Sequence, residues 1–380
     1  MVTKIPEIDD LIRVCTECGE CRSVCPTFEY KKIESFNERG RLMLCDAWNK
    51  GELNATKSWI DRTTTCLQCR VCEEVCPPGV KYFEIVEKVR EKLAEEGNGP
   101  IDPQRTTVQN VLKSGNIFAQ DNKLRDTQLA PYIDKVKVKD ADYLFFTGCM
   151  VNRRYPNFGI NAIEILDQAD LKLALDNDEE CCTGVAKLVG MAKEFKQMSE
   201  KNVAHMEGLG VERVFTHCPM CFSALKKEYP WTVEVIHETE ILADLIDENK
   251  IKLERPINGK AAFFDPCHLG RWGGVYEAPR KVLESIPGLE LLELDRNKNL
   301  SRCCGGPIRD PYIDFRNAIS ENTLNNATEL EIEYLVTCCG TCFYSLQTVG
   351  MMEYDVQIVD IGEIVAYSMK LIEEIPQYSI

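Results

Sequence analysis

The sequence predicts an α+β multi-domain chain: a helical N-terminal module carrying two CxxCxxCxxxCP patterns, then two repeated α/β domains with parallel sheets. Three observations carry this expectation. At 380 residues the chain is too long for one typical domain. The cysteine pattern occurs twice within the first hundred residues, at 15–26 and 66–77. From residue 143 onward, one order of strand, cysteine, helix, strand, cysteine pair, helix, strand and cysteine is run through twice. The expected units are 1–100, a linker over 101–142, a first repeat over 143–255 and a second over 256–380.

Composition narrows the chemistry. The 44% hydrophobic content supports packed cores, and no run approaches the roughly 18 apolar residues of a membrane span. A formal charge of −16 argues against nucleic acid as a partner, because phosphates would be repelled. Residues 1–10 lack the apolar stretch of a signal peptide, so the 20 cysteines are expected in a reducing, cytoplasmic setting, where metal ligation is their better use.

In the first module, Cys15, Cys18, Cys21 and Cys25-Pro26 form one pattern, and Cys66, Cys69, Cys72 and Cys76-Pro77 the other. Three thiolates at this spacing wrap three corners of a cubane 4Fe-4S cluster, while the fourth, fixed by its proline, reaches the neighbouring cluster. The expected sets therefore cross: Cys15, Cys18, Cys21 and Cys76 on one cluster, and Cys66, Cys69, Cys72 and Cys25 on the other. Paired CxxC motifs also suit tetrahedral zinc, but zinc does not call for an exact twofold repeat of the longer pattern. Residues 42–48 read as a helix, with Cys45 as a small buried hydrophobe. A charged amphipathic helix over 80–96 stops at Gly97-Asn98-Gly99-Pro100. The 101–142 segment reads as a partly helical linker packed between modules.

In the repeats, a strand over 143–146 leads to Cys149 and one over 261–264 leads to Cys267. Helices follow (161–168 and 279–285), then strands (171–175 and 289–294), then the adjacent pairs Cys181-Cys182 and Cys303-Cys304. Third strands end at Cys218-Pro219-Met220-Cys221 and at Cys338-Cys339-Gly340-Thr341-Cys342. A fourth strand and helix close each copy (233–246 and 356–371), with Glu240-Ile241 matching Glu363-Ile364. Alternating strands and helices imply parallel sheets, whose ligands gather at the carboxyl ends of the strands. Five thiols per copy thus converge.

The spacing resembles a known family. In the first copy, 31 residues separate Cys149 from Cys181-Cys182 and 35 separate that pair from Cys218; the second copy has 35 and then 34 before Cys339. This looks like the CCG domain of heterodisulfide reductases, and a ferredoxin-like module ahead of two CCG domains is similar to their fused catalytic subunit. It is equally similar to iron–sulfur subunits of anaerobic glycerol-3-phosphate, glycolate and lactate oxidation. Residues 35–41, SFNERGR, resemble a segment shared by these fused proteins. The resemblance implies two noncubane 4Fe-4S clusters, one on Cys149, Cys181, Cys182, Cys218 and Cys221, the other on Cys267, Cys303, Cys304, Cys339 and Cys342. Structural zinc or unmetallated thiols stay open, more so in the second copy, where Cys338-Cys339 leaves the register ambiguous.

Candidate catalytic groups recur in both copies. Arg153 follows Cys149 by four residues as Arg271 follows Cys267, and Lys187 follows Cys182 by five as Arg309 follows Cys304. They are expected either to hold an anionic disulfide or to stabilise a reduced cluster. His268 and His217 adjoin ligand cysteines, and His237 lies on a fourth strand; each is a proton relay or a hydrogen-bond donor to sulfur. The expected function is passage of electrons through the cubanes to noncubane clusters that reduce a small disulfide, such as that of coenzyme M and coenzyme B. The alternative is a relay between a flavoprotein dehydrogenase and a quinone, membrane cytochrome or other enzyme. No flavin motif is present, so a flavoprotein or membrane cytochrome partner is expected, and with it association with the cytoplasmic membrane face.

Overall fold

The computed structural model describes residues 4–121, 123, 126–308 and 312–378. The N-terminal module is helical. Its longest helices, Glu38–Asn49 and Tyr82–Glu95, pack against each other and against Pro6–Arg13. Ile85, Val86, Val89 and Leu93 recur at helical spacing and meet Leu42, Cys45, Trp48 and Trp59 in one apolar cluster. Cys45 is fully buried there, as its sequence setting suggests. Asn37 caps the first of these helices by accepting from the Gly40 amide at 3.2 Å, and that helix is longer at both ends than the hydrophobic run alone implies. The 101–142 segment opens with the helix Asp102–Ser114.

Each repeat contains a four-stranded parallel sheet. In the first, β1 (Tyr143–Phe146), β2 (Leu173–Ala174), β3 (Arg213–Thr216) and β4 (Glu234–His237) lie in the order β2-β1-β3-β4. In the second, β5 (Gly259–Phe263), β6 (Leu289–Leu292), β7 (Tyr334–Thr337) and β8 (Gln357–Asp360) lie in the order β6-β5-β7-β8. Helices cover both faces, which is why central strands such as Tyr143–Phe146 are wholly buried and read as unbroken apolar runs. The matched Glu240 and Glu363 have one local purpose. Each closes a capping box, accepting from the backbone amide of His237 at 3.1 Å and of Asp360 at 3.3 Å, so strand passes directly into helix.

The two repeats pack reciprocally. The last helix of the first copy, Glu238–Asp247, lies on the first helix of the second, Glu277–Glu284, and Pro156–Gln168 lies on Ile361–Ser368. This exchange of like for like is the pattern of a local twofold. It brings the carboxyl ends of both sheets to a common space.

Candidate iron–sulfur centre

Four cysteines bound each of two voids in the N-terminal module. Cys15, Cys18, Cys21 and Cys76 line an outer void, and Cys25, Cys66, Cys69 and Cys72 an inner void. Pro26 begins a short helix immediately after Cys25 and directs that thiol away from its own loop. Cys18 is exposed to solvent, whereas Cys25, Cys66 and Cys69 are buried. Glu38 faces both voids, and burial pushes its carboxyl up to about 7.

The repeat cysteines share one larger cavity. A cavity of about 560 Å³, open at its mouth, is bounded by all ten: Cys149, Cys181, Cys182, Cys218 and Cys221 from the first copy, and Cys267, Cys303, Cys304, Cys339 and Cys342 from the second. The loops after the first three strands of each sheet carry them, at the strands' carboxyl ends. Within each set the side chains touch in the same order. Cys149 meets Cys181, then Cys182, Cys221 and Cys218; Cys267 meets Cys303, then Cys304, Cys342 and Cys339. Gly148 has φ +68°, and a Cβ there would lie 2.9 Å from the Cys221 sulfur, so the loop is cut close to the thiols. One further sulfur contact leaves the repeats: Cys303 also meets Cys69 of the inner void.

The donor set suits anionic iron–sulfur groups. Arg41 is buried beside the inner void, Arg90 is buried at the wall of the large cavity with its guanidinium on the Cys66 carbonyl, and Arg271 is buried on the Cys69 carbonyl, each without a carboxylate partner among the described ion pairs. Arg90 Nε and one Arg271 terminal nitrogen have no acceptor. Buried cations persist where an anion balances them.

Comparison with known proteins agrees with this geometry. A "4Fe-4S dicluster domain" matches residues 12–80 and a "Cysteine-rich domain" matches 143–226 and 261–347. One relative from Methanosarcina barkeri, part of the dihydromethanophenazine:CoB–CoM heterodisulfide reductase, is 32% identical over 94% of this chain and 94% of its own length. The chain belongs to the family of heterodisulfide reductase iron–sulfur subunits. It is an iron–sulfur oxidoreductase of that type. A component of a fumarate reductase (CoM/CoB) from Methanothermobacter marburgensis is 29% identical over 94% of this chain and 73% of its own. An EtfAB:quinone oxidoreductase from Syntrophomonas wolfei is 27% identical over 80% of this chain and 46% of its own. A crystal structure of a hypothetical protein from Helicobacter pylori shares the fold, with TM-score 0.60 at 10% identity, covering 96% of this chain and 75% of that one.

In this heterodisulfide-reductase-type chain the basic positions expected at the substrate lie elsewhere. Lys187 is held between Glu87, at 3.1 Å, and Glu228. Arg271 donates to the Cys69 carbonyl, to Asn299 O at 3.0 Å and to Ser301 O and Oγ at 2.9 Å each. Arg153 is half-buried and reaches the Lys123 carbonyl. None of the three lines the large cavity, and Arg309 lies outside the described residues. His268 does line it. Its Nδ1 is 2.8 Å from Ser223 Oγ of the first copy, its ring stacks on Trp272, and burial pushes it down to about 4, so it is neutral at pH 7.

His217 is turned away, buried between Glu238 of its own copy and Asp360 of the other, whose Oδ2 is 3.2 Å from Nε2. Burial disfavours its charge, but the two carboxylates outweigh this and raise its pKa well above the ordinary value. His237 Nε2 bonds the His217 carbonyl at 2.9 Å. Cys339, not Cys338, faces the cavity; Cys338 takes the place of His217 in the second copy and is buried. Sequence reasoning misses Glu38, Arg41 and Arg90. The first two lie inside the SFNERGR segment, where Gly40 is the discoverable signal: a Cβ there would sit 2.1 Å from the Glu34 carbonyl.

Proposed function

We propose that this chain is the disulfide-reducing subunit of its complex. Cys15, Cys18, Cys21 and Cys76 would hold an outer cubane, Cys25, Cys66, Cys69 and Cys72 an inner one, and each set of five repeat cysteines a noncubane cluster. The domain limits adopted are 1–100, 143–255 and 256–380, with 101–142 between. The observation that carries the reading is the single cavity lined by five cysteines from each repeat, large enough to take a small molecule between them. When bound, the clusters supply one-electron transfer and iron that accepts thiolate.

The balance is RS–SR′ plus two electrons and two protons to RSH and R′SH. The chain's own groups set the course. With clusters held by these cysteines, the exposed Cys18 would make the outer set the point of electron entry, and the Cys69–Cys303 contact would make the second repeat the first acceptor. Met150, Met220, Pro219 and Pro266 give the cavity wall an apolar part, and His268, aligned by Ser223, is placed to hydrogen-bond there. The heterodisulfide of coenzyme M and coenzyme B, named in the relatives, is the first substrate to test. A flavoprotein or membrane cytochrome partner would deliver the electrons. Among the described residues no helix is long and apolar enough to cross a membrane, so such a partner would supply any attachment to the cytoplasmic membrane face.

The test is anaerobic purification with iron and zinc analysis, followed by disulfide reduction with reduced viologen. About 16 irons per chain and turnover are expected. About 8 irons with two stoichiometric zincs would reject the noncubane assignment. No turnover with four intact clusters and the natural donor present would reject the enzyme and leave an electron relay.

A further inference from the structure

Two cubane sites built on one repeated pattern sit in unlike electrostatic surroundings. At the outer void the neighbouring cations Arg39 and Arg22 share the carboxylate of Glu34. Arg39 Nε is 2.7 Å from Glu34 Oε1 and Arg22 is 3.5 Å from Glu34 Oε2, and exposed Cys18 admits solvent. Salt and water screen what charge is left. At the inner void, Glu73 is paired with Arg70 at 3.0 Å, and Glu38 is shared with the outer site. Three further cations have no such partner.

Arg41 donates to Arg62 O at 2.8 Å and to Thr27 and Thr65 hydroxyls at 3.1 and 3.3 Å. Arg90 donates to Thr64 O at 3.3 Å and Cys66 O at 2.8 Å, and Arg271 to Cys69 O. Their acceptors are neutral. Thus three full positive charges, each buried, converge on the loop that carries Cys66 and Cys69. Buried charges are screened less than surface ones, so they act more strongly on an electron added nearby than the more exposed cations of the outer site do.

We propose that Arg41, Arg90 and Arg271 make the inner site the electron sink of the N-terminal module, so that an electron accepted at the outer site rests beside Cys303. They are positioning residues for the electron: Arg41 and Arg271 do not line the large cavity, and Arg90, which reaches its wall, is left out of the test. The inference rests on reading the two voids as cubane sites. It also gives the SFNERGR segment a purpose: Asn37 and Gly40 shape the helix start, and Arg41 is delivered to the inner void.

The experiment is a redox titration of the anaerobically purified full chain, following the paramagnetic signal of each reduced cubane. Signals are assigned through Cys18→Ser, at the outer site, and Cys72→Ser, at the inner. The wild type is expected to fill the inner site first. Arg41→Gln and Arg271→Gln should each lower the inner midpoint by about 59 mV, a tenfold change in electron partition. Arg41→Lys should restore most of it, while Arg39→Gln leaves the inner midpoint where it was. Iron is counted in every sample. An inner site that fills at or below the potential of the outer one in the wild type overturns the proposal, as do equal shifts in the Gln and Lys variants. Wild type lacking cubane irons altogether would instead remove the reading on which the proposal stands.

Discussion

The two repeats agree in their sulfurs and strand order and differ in several of the charged and polar side chains packed around them. Both run the same strand order, the same sequence of thiol contacts and the same capping box. Yet where the first copy has His217, the second has Cys338; where the first has His237-Glu238, the second has Asp360-Ile361. Near the first cysteine loop, Glu179 of the first copy accepts from the Thr147 and Gly148 amides at 2.7 and 2.8 Å. The second copy has Ser301 there, and a buried Asp265–Arg280 pair at 2.8 Å that also engages Glu293. The duplication has kept what surrounds a cluster and released what surrounds a neighbour. The second copy meets the inner void through the Cys303–Cys69 contact, alongside Arg271 and Trp272, which donate to the carbonyls of Cys69 and Gln68.

The largest effect that can break this comparison is expected at the equivalent residues Cys303 and Cys181. Cys303→Ser should abolish disulfide turnover, by about 100-fold or more, and also stop rapid electron transfer out of the inner cubane. Cys181→Ser should cost turnover as heavily but leave that transfer intact. Rapid-freeze magnetic resonance after mixing with a reductant reads both. Equal transfer rates in the two variants would sink the assignment of the second repeat as first acceptor.

A smaller effect sharpens the comparison where the copies face each other. His217 and Asp360 form an ion pair across the interface, both fully buried, whereas His237 stays within its own copy, capping its helix and bonding the His217 carbonyl. Among the described residues His217 is the one cation between Glu238 and Asp360, so His217→Gln leaves two buried carboxylates without it and should destabilise the folded chain by about 3 kcal/mol, whereas Asp360→Asn leaves His217 paired with Glu238 and should cost less. His237→Ala should cost about 1 kcal/mol. Guanidinium midpoints of cluster-loaded protein would show the order; equal losses would mean that the pair contributes nothing beyond a cap.

Much of this is legible in the sequence because it is local. The strands declare themselves as apolar runs ending at cysteine, and Glu240 and Glu363 mark helix starts. The repeat spacing also selects the set of thiols that the cavity gathers. Boundaries shift by a few residues, as at Pro156–Gln168 against the expected 161–168, because Pro156 at the first turn extends a helix whose apolar face begins later. Charged residues are the opaque part. Arg41 and Arg90 occupy helices that also carry solvent-facing charges, and nothing within a few residues announces that tertiary packing buries them, or Glu38 beside Arg41. The spacing of Lys187 and Arg271 after their cysteines repeats faithfully. Direction, however, is decided by partners far along the chain: Glu87 and Glu228 for one, Cys69 and Ser301 for the other.

That last point gives the smallest expected effect. If Lys187 held the sulfonate or phosphate of a disulfide, its loss would remove a charge-assisted contact and lower turnover by more than tenfold. In the structure its ammonium already satisfies two carboxylates from different parts of the chain: Glu87 on the helix Tyr82–Glu95 and Glu228 next to the helix Pro219–Lys227. Its charge serves to join module to repeat, at some distance from the thiols. Lys187→Gln should therefore change the rate of disulfide reduction by less than about threefold and leave the apparent affinity for an anionic disulfide unchanged. The cost should surface instead as a loss of about 1 to 2 kcal/mol in stability, because Glu87 and Glu228 are left facing one another. Pairing Lys187→Gln with Glu228→Gln relieves that repulsion and should recover part of the loss. If the single variant loses affinity for the anionic disulfide alone, with stability intact, the lysine belongs to the substrate after all.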